Sequence, residues 1–182
     1  ENTVVMFSSD NGPSWIEIAV DREFFNSNGV LRDGKGAYYE GGLRVPFIAR
    51  WPGRIPPNKV FDRAVISLDM FATAGTAAGV PAKVLQNIDG VDLVPFLNEE
   101  AQGVPHETLY WRTGNKAALR HQDWKLLRNP GRGQSTEWQL YDLSQDVGEA
   151  TDLARKNPAR CNELIQLWQS LDAKMIEPVW TP

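Results

Sequence analysis

Apolar and polar positions follow one pattern in the first half of the chain and another in the second. Residues 3–8 (Thr-Val-Val-Met-Phe-Ser) form an unbroken β-branched and aromatic run, which predicts a strand buried on both faces. The run stops at Ser9-Asp10-Asn11-Gly12-Pro13, so this polar cluster lies at the strand's C-terminal end, the edge where open α/β sheets bind ligands. Residues 14–43 show no period and carry glycines at 29, 34, 36, 41 and 42. They predict a long ordered loop, a kind of segment more often functional than idle. Residues 46–51 (Pro-Phe-Ile-Ala-Arg-Trp) predict a second strand, with proline at its permitted first position and Pro52-Gly53 as the stop.

A helix is predicted next, with Ser67 as N-cap and Asp69 in its positive first turn. Leu68, Phe71, Ala72 and Gly75 fall at helical spacing, Gly79-Val80-Pro81 ends the element, and the small residues predict close packing on the sheet. Residues 89–97 form a short apolar segment, and the polar stretch 98–105 after it suggests a boundary between residues 1–104 and 105–182. Beyond it, short runs at 108–112, 116–120, 124–128 and 139–142 predict an antiparallel meander, with Asn129-Pro130-Gly131 opening a wide turn. Asn157 and Pro158 start a final helix whose Cys161, Leu164, Ile165, Trp168, Leu171 and Met175 form one apolar stripe. That stripe should close one face of the meander. The fold class read from the chain is α/β with a small antiparallel subdomain and a C-terminal helix.

Composition narrows the function classes. The chain has 182 residues, 42% hydrophobic and 23% charged, enough for a real core and outside the range of disordered sequences. A formal charge of -4 supplies no basic field for a phosphate backbone, so nucleic acid is not an expected partner. No apolar run approaches the ~20 residues of a membrane helix. The opening Glu1-Asn2-Thr3-Val4-Val5 enters a strand-like run directly, and the chain is expected to belong to a longer one. Two His (His106 and His121) and one Cys (Cys161) are too few for most zinc or His-dependent sites. Chemistry must come from carboxylates, amides and Lys, or be shared with residues elsewhere.

Each candidate motif has a plainer reading beside its functional one. Asp10-Asn11-Gly12-Pro13 is built from common turn residues; alternatively, a carboxylate beside an amide carbonyl offers hard oxygen donors to calcium or magnesium. Lys35 between Gly34 and Gly36 is a solvated loop charge, or a point charge held where glycines let the backbone approach an anion. Glu40 and Arg44 flank Gly41-Gly42 and are expected to form an internal ion pair that fixes the loop onto the next strand. Trp111, Trp124, Trp138 and Trp168 could form a sugar-stacking platform, but most are expected in the core. Cys161, on an apolar helix stripe, is expected to be an inert buried thiol. Both His, without an evident partner, are expected to be structural.

Taken in order, Phe7-Ser8-Ser9-Asp10-Asn11-Gly12-Pro13, Leu31-Arg32-Asp33-Gly34-Lys35-Gly36, Tyr39-Glu40-Gly41-Gly42-Leu43-Arg44-Val45-Pro46 and Arg50-Trp51-Pro52-Gly53 resemble the C-terminal half of the sulfatase family, the arylsulfatase type within the alkaline-phosphatase-like superfamily. The resemblance continues through Asp69, Asp89-Gly90-Val91-Asp92-Leu93, Trp124-Lys125-Leu126-Leu127 and Leu140-Tyr141-Asp142-Leu143. It implies that residues 1–104 are the C-terminal part of the catalytic α/β domain and 105–182 its small subdomain. It implies that Asp10 and Asn11 ligate one divalent cation, calcium or else magnesium, and that Lys35 contacts the sulfate of an aryl or carbohydrate sulfate ester as a catalytic and substrate-binding residue. The family's nucleophile is a formylglycine made from Cys or Ser in a Cys/Ser-x-Pro/Ala-x-Arg motif. Ala159-Arg160-Cys161-Asn162-Glu163 departs from that pattern, so the nucleophile is expected in an N-terminal half outside this chain, which alone should not turn over. A second departure is Ala72 before Thr73, where the family commonly has proline. The family also implies a periplasmic, secreted or lysosomal setting. Two other readings remain open: a phosphoester or phosphonate hydrolase of the same superfamily, and a non-catalytic glycan-binding module built on the Trp-rich meander.

Overall fold

The structure, a computed structural model, describes residues 2–14, 26–130 and 136–176. The chain divides into two compact units, one built from Glu1–Ser9 and Pro46–Glu107, the other from Asp10–Val45 and Thr108–Pro182. The loop that follows the first strand therefore groups with the second half of the chain.

In the first unit, β1 (Val5–Ser8) and β2 (Phe47–Arg50) pair antiparallel, with Val5 opposite Arg50 and Phe7 opposite Ile48. Expected burial on both faces is not found: Val5, Phe7 and Ile48 on one face are exposed, because no second layer covers that face among the described residues of this unit. Helix α2 (Leu68–Ala77) forms as predicted, but Leu68 and Phe71 are exposed and its buried positions are Asp69, Ala72 and Thr73. Gly75 packs against Leu85 of the short helix α3 (Ala82–Leu85) rather than against the sheet. The side chain of Ser67 makes no cap hydrogen bond. Asp69 organises this end instead: its carboxylate accepts from Ile66 N–H at 2.8 Å, from Val91 N–H at 2.9 Å, and lies 2.8 and 3.0 Å from His106 Nε2. His106 is therefore partnered, and its role is to brace this unit. Leu93 N–H donates to Thr73 Oγ1 at 3.0 Å just before α4 (Val94–Leu97).

The second unit contains a four-stranded antiparallel meander in the order β3 (Thr108–Thr113), β4 (Lys116–His121), β5 (Trp124–Arg128) and β6 (Gln139–Asp142). Gly131 of the predicted turn lies outside the described residues. Each central strand buries apolar residues on both faces, and each face has its own cover. Ala117, Leu119, Leu126 and Leu140 pack under Cys161, Leu164 and Trp168 of α5 (Pro158–Asp172). Ala118, Leu127, Tyr141 and Leu143 face the other way, onto Ala37 and Tyr39 of the loop. Period-two alternation decides which residue meets which layer. Met175 lies beyond the last turn of α5 and is exposed, so the stripe ends at Leu171. Trp168 is buried, while Trp124, Trp138 and Trp111 are half-buried against these layers, as a core role requires. His121 Nδ1 lies 2.8 Å from Thr108 Oγ1 across β3 and β4. Among the described residues no helix is long and apolar enough to cross a membrane.

Candidate functional site

Two of the sequence motifs meet through the backbone. Lys35 N–H donates to Pro13 C=O at 3.0 Å, and Gly12 N–H donates to Gly42 C=O at 3.2 Å. The Asp10-Asn11-Gly12-Pro13 turn is thereby tied to the Gly34-Lys35-Gly36 loop and to the Gly pair that follows Glu40. The approach is close enough to require glycine: a Cβ on Gly12 would sit 1.8 Å from Gly41 C=O, and one on Gly42 would sit 2.2 Å from Ala37 C=O. Such contacts lie far inside van der Waals distance, and only a residue without a side chain admits them.

Local backbone chemistry shapes the Lys35 loop. Asp33 takes a left-handed conformation (φ 61°), which Asp tolerates better than most residues, and its carboxylate accepts from the next residue's N–H, Gly34, at 2.9 Å. Gly36 has φ 85°, Ala37 N–H closes the turn onto Gly34 C=O at 3.0 Å, and Lys116 Nζ donates to Gly36 C=O at 2.8 Å. Lys35 itself is exposed at the tip. Asp10 is exposed, and Asn11 is half-buried with its Nδ2 donating to Gly12 C=O at 2.8 Å.

Hard oxygen donors on Asp10 and Asn11 and an ammonium on Lys35 are carried by segments whose backbones are joined by the Lys35 N–H bond to Pro13 C=O. Both donors are of the type calcium and magnesium prefer, and two residues supply only part of the about six to eight oxygens that calcium takes. Among the described residues, no group of three His, Cys, Asp or Glu side chains is assembled that could hold a metal. The donor set fits a share of a hard-cation site rather than a whole one. Cys161 adds nothing to it: the thiol is buried in the core under α5, and burial, with Asp152 nearby, pushes its pKa up. A nucleophilic thiol needs the opposite.

The expected ion pair between Glu40 and Arg44 is not what holds this loop. Arg44 is exposed, and Glu40, which opens the short helix α1 (Glu40–Leu43), reaches across to β5, where its Oε1 lies 2.7 Å from Lys125 Nζ. Lys125 also lies 3.0 Å from Glu149 Oε1, and Glu149 Oε2 accepts from Glu40 N–H at 2.5 Å. Burial pushes the Glu149 carboxyl pKa up, while the Lys125 ammonium and the Glu40 N–H pull it back. Arg32, at the loop's other shoulder, donates to Glu149 C=O at 2.8 Å and to Tyr141 Oη at 3.3 Å, with its guanidinium 3.9 Å above the Tyr39 ring. None of Lys125, Glu149 and Arg32 was among the candidate residues. One signal was present: in Trp124-Lys125-Leu126-Leu127 the lysine shares strand parity with Leu127, an inward position where a charge needs a buried partner.

Comparison with known proteins points one way. Residues 1–80 match the Sulfatase family model. A sulfatase of Formosa agariphila is 34% identical over 174 residues, covering 88% of this chain and 30% of that protein. The N-acetylgalactosamine-6-O-sulfatase of Bacteroides thetaiotaomicron is 29% identical over 191 residues, covering 96% of this chain and 37% of that protein. Among solved structures, Ps i-CgsB in complex with k-i-k-neocarrahexaose superposes with a TM-score of 0.78 at 28% identity, over 99% of this chain and 38% of that one. The chain spans about a third of the length of the relatives it matches.

Proposed function

Because the chain belongs to the sulfatase family, we propose that it forms the C-terminal part of an enzyme that hydrolyses sulfate esters to an alcohol and inorganic sulfate. In this reading Asp10 and Asn11 contribute two of the ligands of a divalent cation, calcium being the first choice, and Lys35 grips the sulfate. The observation that carries it is the pair of backbone hydrogen bonds that ties the Asp10–Asn11 turn to Gly42 and the Lys35 loop to Pro13. They join the backbone segments that carry hard oxygen donors and a cationic side chain, which supports a site for the oxyanion of a sulfate ester. When bound, the cation would neutralise charge on the sulfate's peripheral oxygens. Asp10 lowers the cost of holding that cation, and Lys35 orients the ester by a point charge from the glycine-flanked loop.

The nucleophile is assigned to residues outside this chain, since the surroundings of the sole Cys, Ala159-Arg160-Cys161-Asn162-Glu163, depart from the Cys/Ser-x-Pro/Ala-x-Arg motif of a formylglycine site. The chain alone therefore does not turn over. A carbohydrate sulfate is the favoured substrate class, on similarity to an N-acetylgalactosamine-6-O-sulfatase and to a structure holding a neocarrahexaose. The test is Asp10→Ala in the full-length protein. Calcium content by elemental analysis and turnover of an aryl sulfate fall together, because a compact site that loses an anionic ligand binds a hard cation far less well. A variant keeping both removes Asp10 from the site.

A further inference from the structure

Resting on that reading, we infer that Lys125, Glu40 and Glu149 form a positioning cluster that holds the loop of residues 26–45 in the geometry presenting Asp10, Asn11 and Lys35. None of the three touches substrate or cation in this scheme; they act through the backbone.

The cluster is fully enclosed. Lys125 and Glu149 are 0% exposed and Glu40 is 3% exposed. One ammonium lies 2.7 Å from one carboxylate and 3.0 Å from the other, and Arg120 Nη1 stands 3.9 Å from Glu40 Oε2. One buried ammonium thus faces two buried carboxylates, and Arg120, whose side chain is 21% exposed, adds a second cation at the edge of the cluster. Taking these groups from water is expensive, and an apolar cluster of the same volume would serve bulk stability as well or better. What charge supplies is direction, since the ammonium lies within ion-pair reach of both carboxylates only when loop and strand are packed in this way.

The connections to the site are short. Glu40 is followed at once by Gly41 and Gly42, which carry the Gly12 contact and the Gly12 N–H···O=C Gly42 bond. Gly41 N–H donates back to Arg32 C=O at 2.9 Å, and Arg32 is itself anchored on Glu149 and Tyr141. Gly34-Lys35-Gly36 is therefore suspended between two shoulders, Arg32 and Glu40, that both end on Glu149. A shift at Glu40 moves the Gly pair, and with it the turn bearing Asp10 and Asn11.

The experiment is amide hydrogen exchange on the 182-residue chain carrying Glu40→Gln, which keeps side-chain volume and removes one charge of the cluster. Exchange at Gly12, Lys35 and Gly41 accelerates by at least about tenfold, while amides of β4 and α5 keep wild-type rates, as expected for a local opening. Glu149→Gln, which retains an acceptor for the Glu40 N–H, gives the same pattern with a smaller amplitude. Equal acceleration throughout the meander would mean that the cluster supports only global stability, and unchanged exchange at the three loop amides would mean that it does not position them; either result overturns the inference. Calcium chloride titrated into the full-length protein separates this inference from the function it rests on. Wild type that binds no calcium refutes the proposed half-site while the exchange pattern stands. Wild type that binds calcium, with Glu40→Gln binding at least about tenfold more weakly, supports both.

Discussion

Gly12→Ala is the sharpest probe of how the turn and the glycine pair are joined. An added Cβ would lie 1.8 Å from Gly41 C=O, 2.9 Å from its carbonyl carbon and 3.0 Å from Gly42 Cα. All three are backbone atoms, so no side chain can swing aside, and the turn must retreat by about 1.6 Å to reach ordinary contact. Overpacking of this kind costs about 1–3 kcal/mol. The retreat also breaks the 3.2 Å bond from Gly12 N–H to Gly42 C=O, worth about 0.5–1.5 kcal/mol. The sum is about 1.5–4.5 kcal/mol of local destabilisation, readable as a lowered midpoint in urea unfolding of the chain. Function should respond more steeply, because a misplacement of about 1 Å costs on the order of 10²-fold in turnover. Gly53→Ala is the control: it has positive φ (80°) but nothing within 4 Å of the added carbon, so it pays backbone strain of about 1 kcal/mol without moving the turn. Full-length Gly12→Ala with calcium content and aryl sulfate turnover within threefold of wild type would refute the close-approach argument.

Lys35→Ala in the full-length protein keeps its cation, since an ammonium is no ligand, yet loses about two to three powers of ten in kcat/KM, the scale of one preorganised donor. A loss below threefold with sulfate inhibition unchanged would return Lys35 to a solvated loop charge. Asp69→Ala strands two backbone N–H groups and His106, costing about 2–5 kcal/mol in unfolding experiments, with Asp69→Asn milder because it keeps one acceptor oxygen; a cost below about 1 kcal/mol refutes the brace. The Glu149 carboxyl is raised above its ordinary value of 4.5 by burial, so the folded state holds its proton more tightly than the unfolded state. Its stabilising contribution is complete below pH 4.5 and is lost as pH rises through the raised value. Wild type should therefore lose stability relative to Glu149→Gln between acidic and neutral pH in paired urea titrations, and the opposite sign would exclude burial as the dominant cause.

Local pattern alone determined the elements whose reasons are local. Four short β-rich runs placed β3 to β6, and Asn157-Pro158 with an apolar stripe placed α5, because strand alternation and helical periodicity are written in neighbouring residues. The Asp10–Asn11 and Lys35 motifs were legible for the same reason: hard oxygen donors and a glycine-flanked cation advertise their chemistry by residue type. What covers each face was not legible. Nothing in residues 3–8 says that Val5 and Phe7 stay exposed, nor in residues 37–39 that Ala37 and Tyr39 seal the meander's second face. Glu40 could be read as a partner for Arg44, four positions away, and only the folded chain sets it on Lys125, 85 positions away. Partner choice for a buried charge is decided by which groups share the same low-dielectric space, and that space exists only once the loop lies on the sheet.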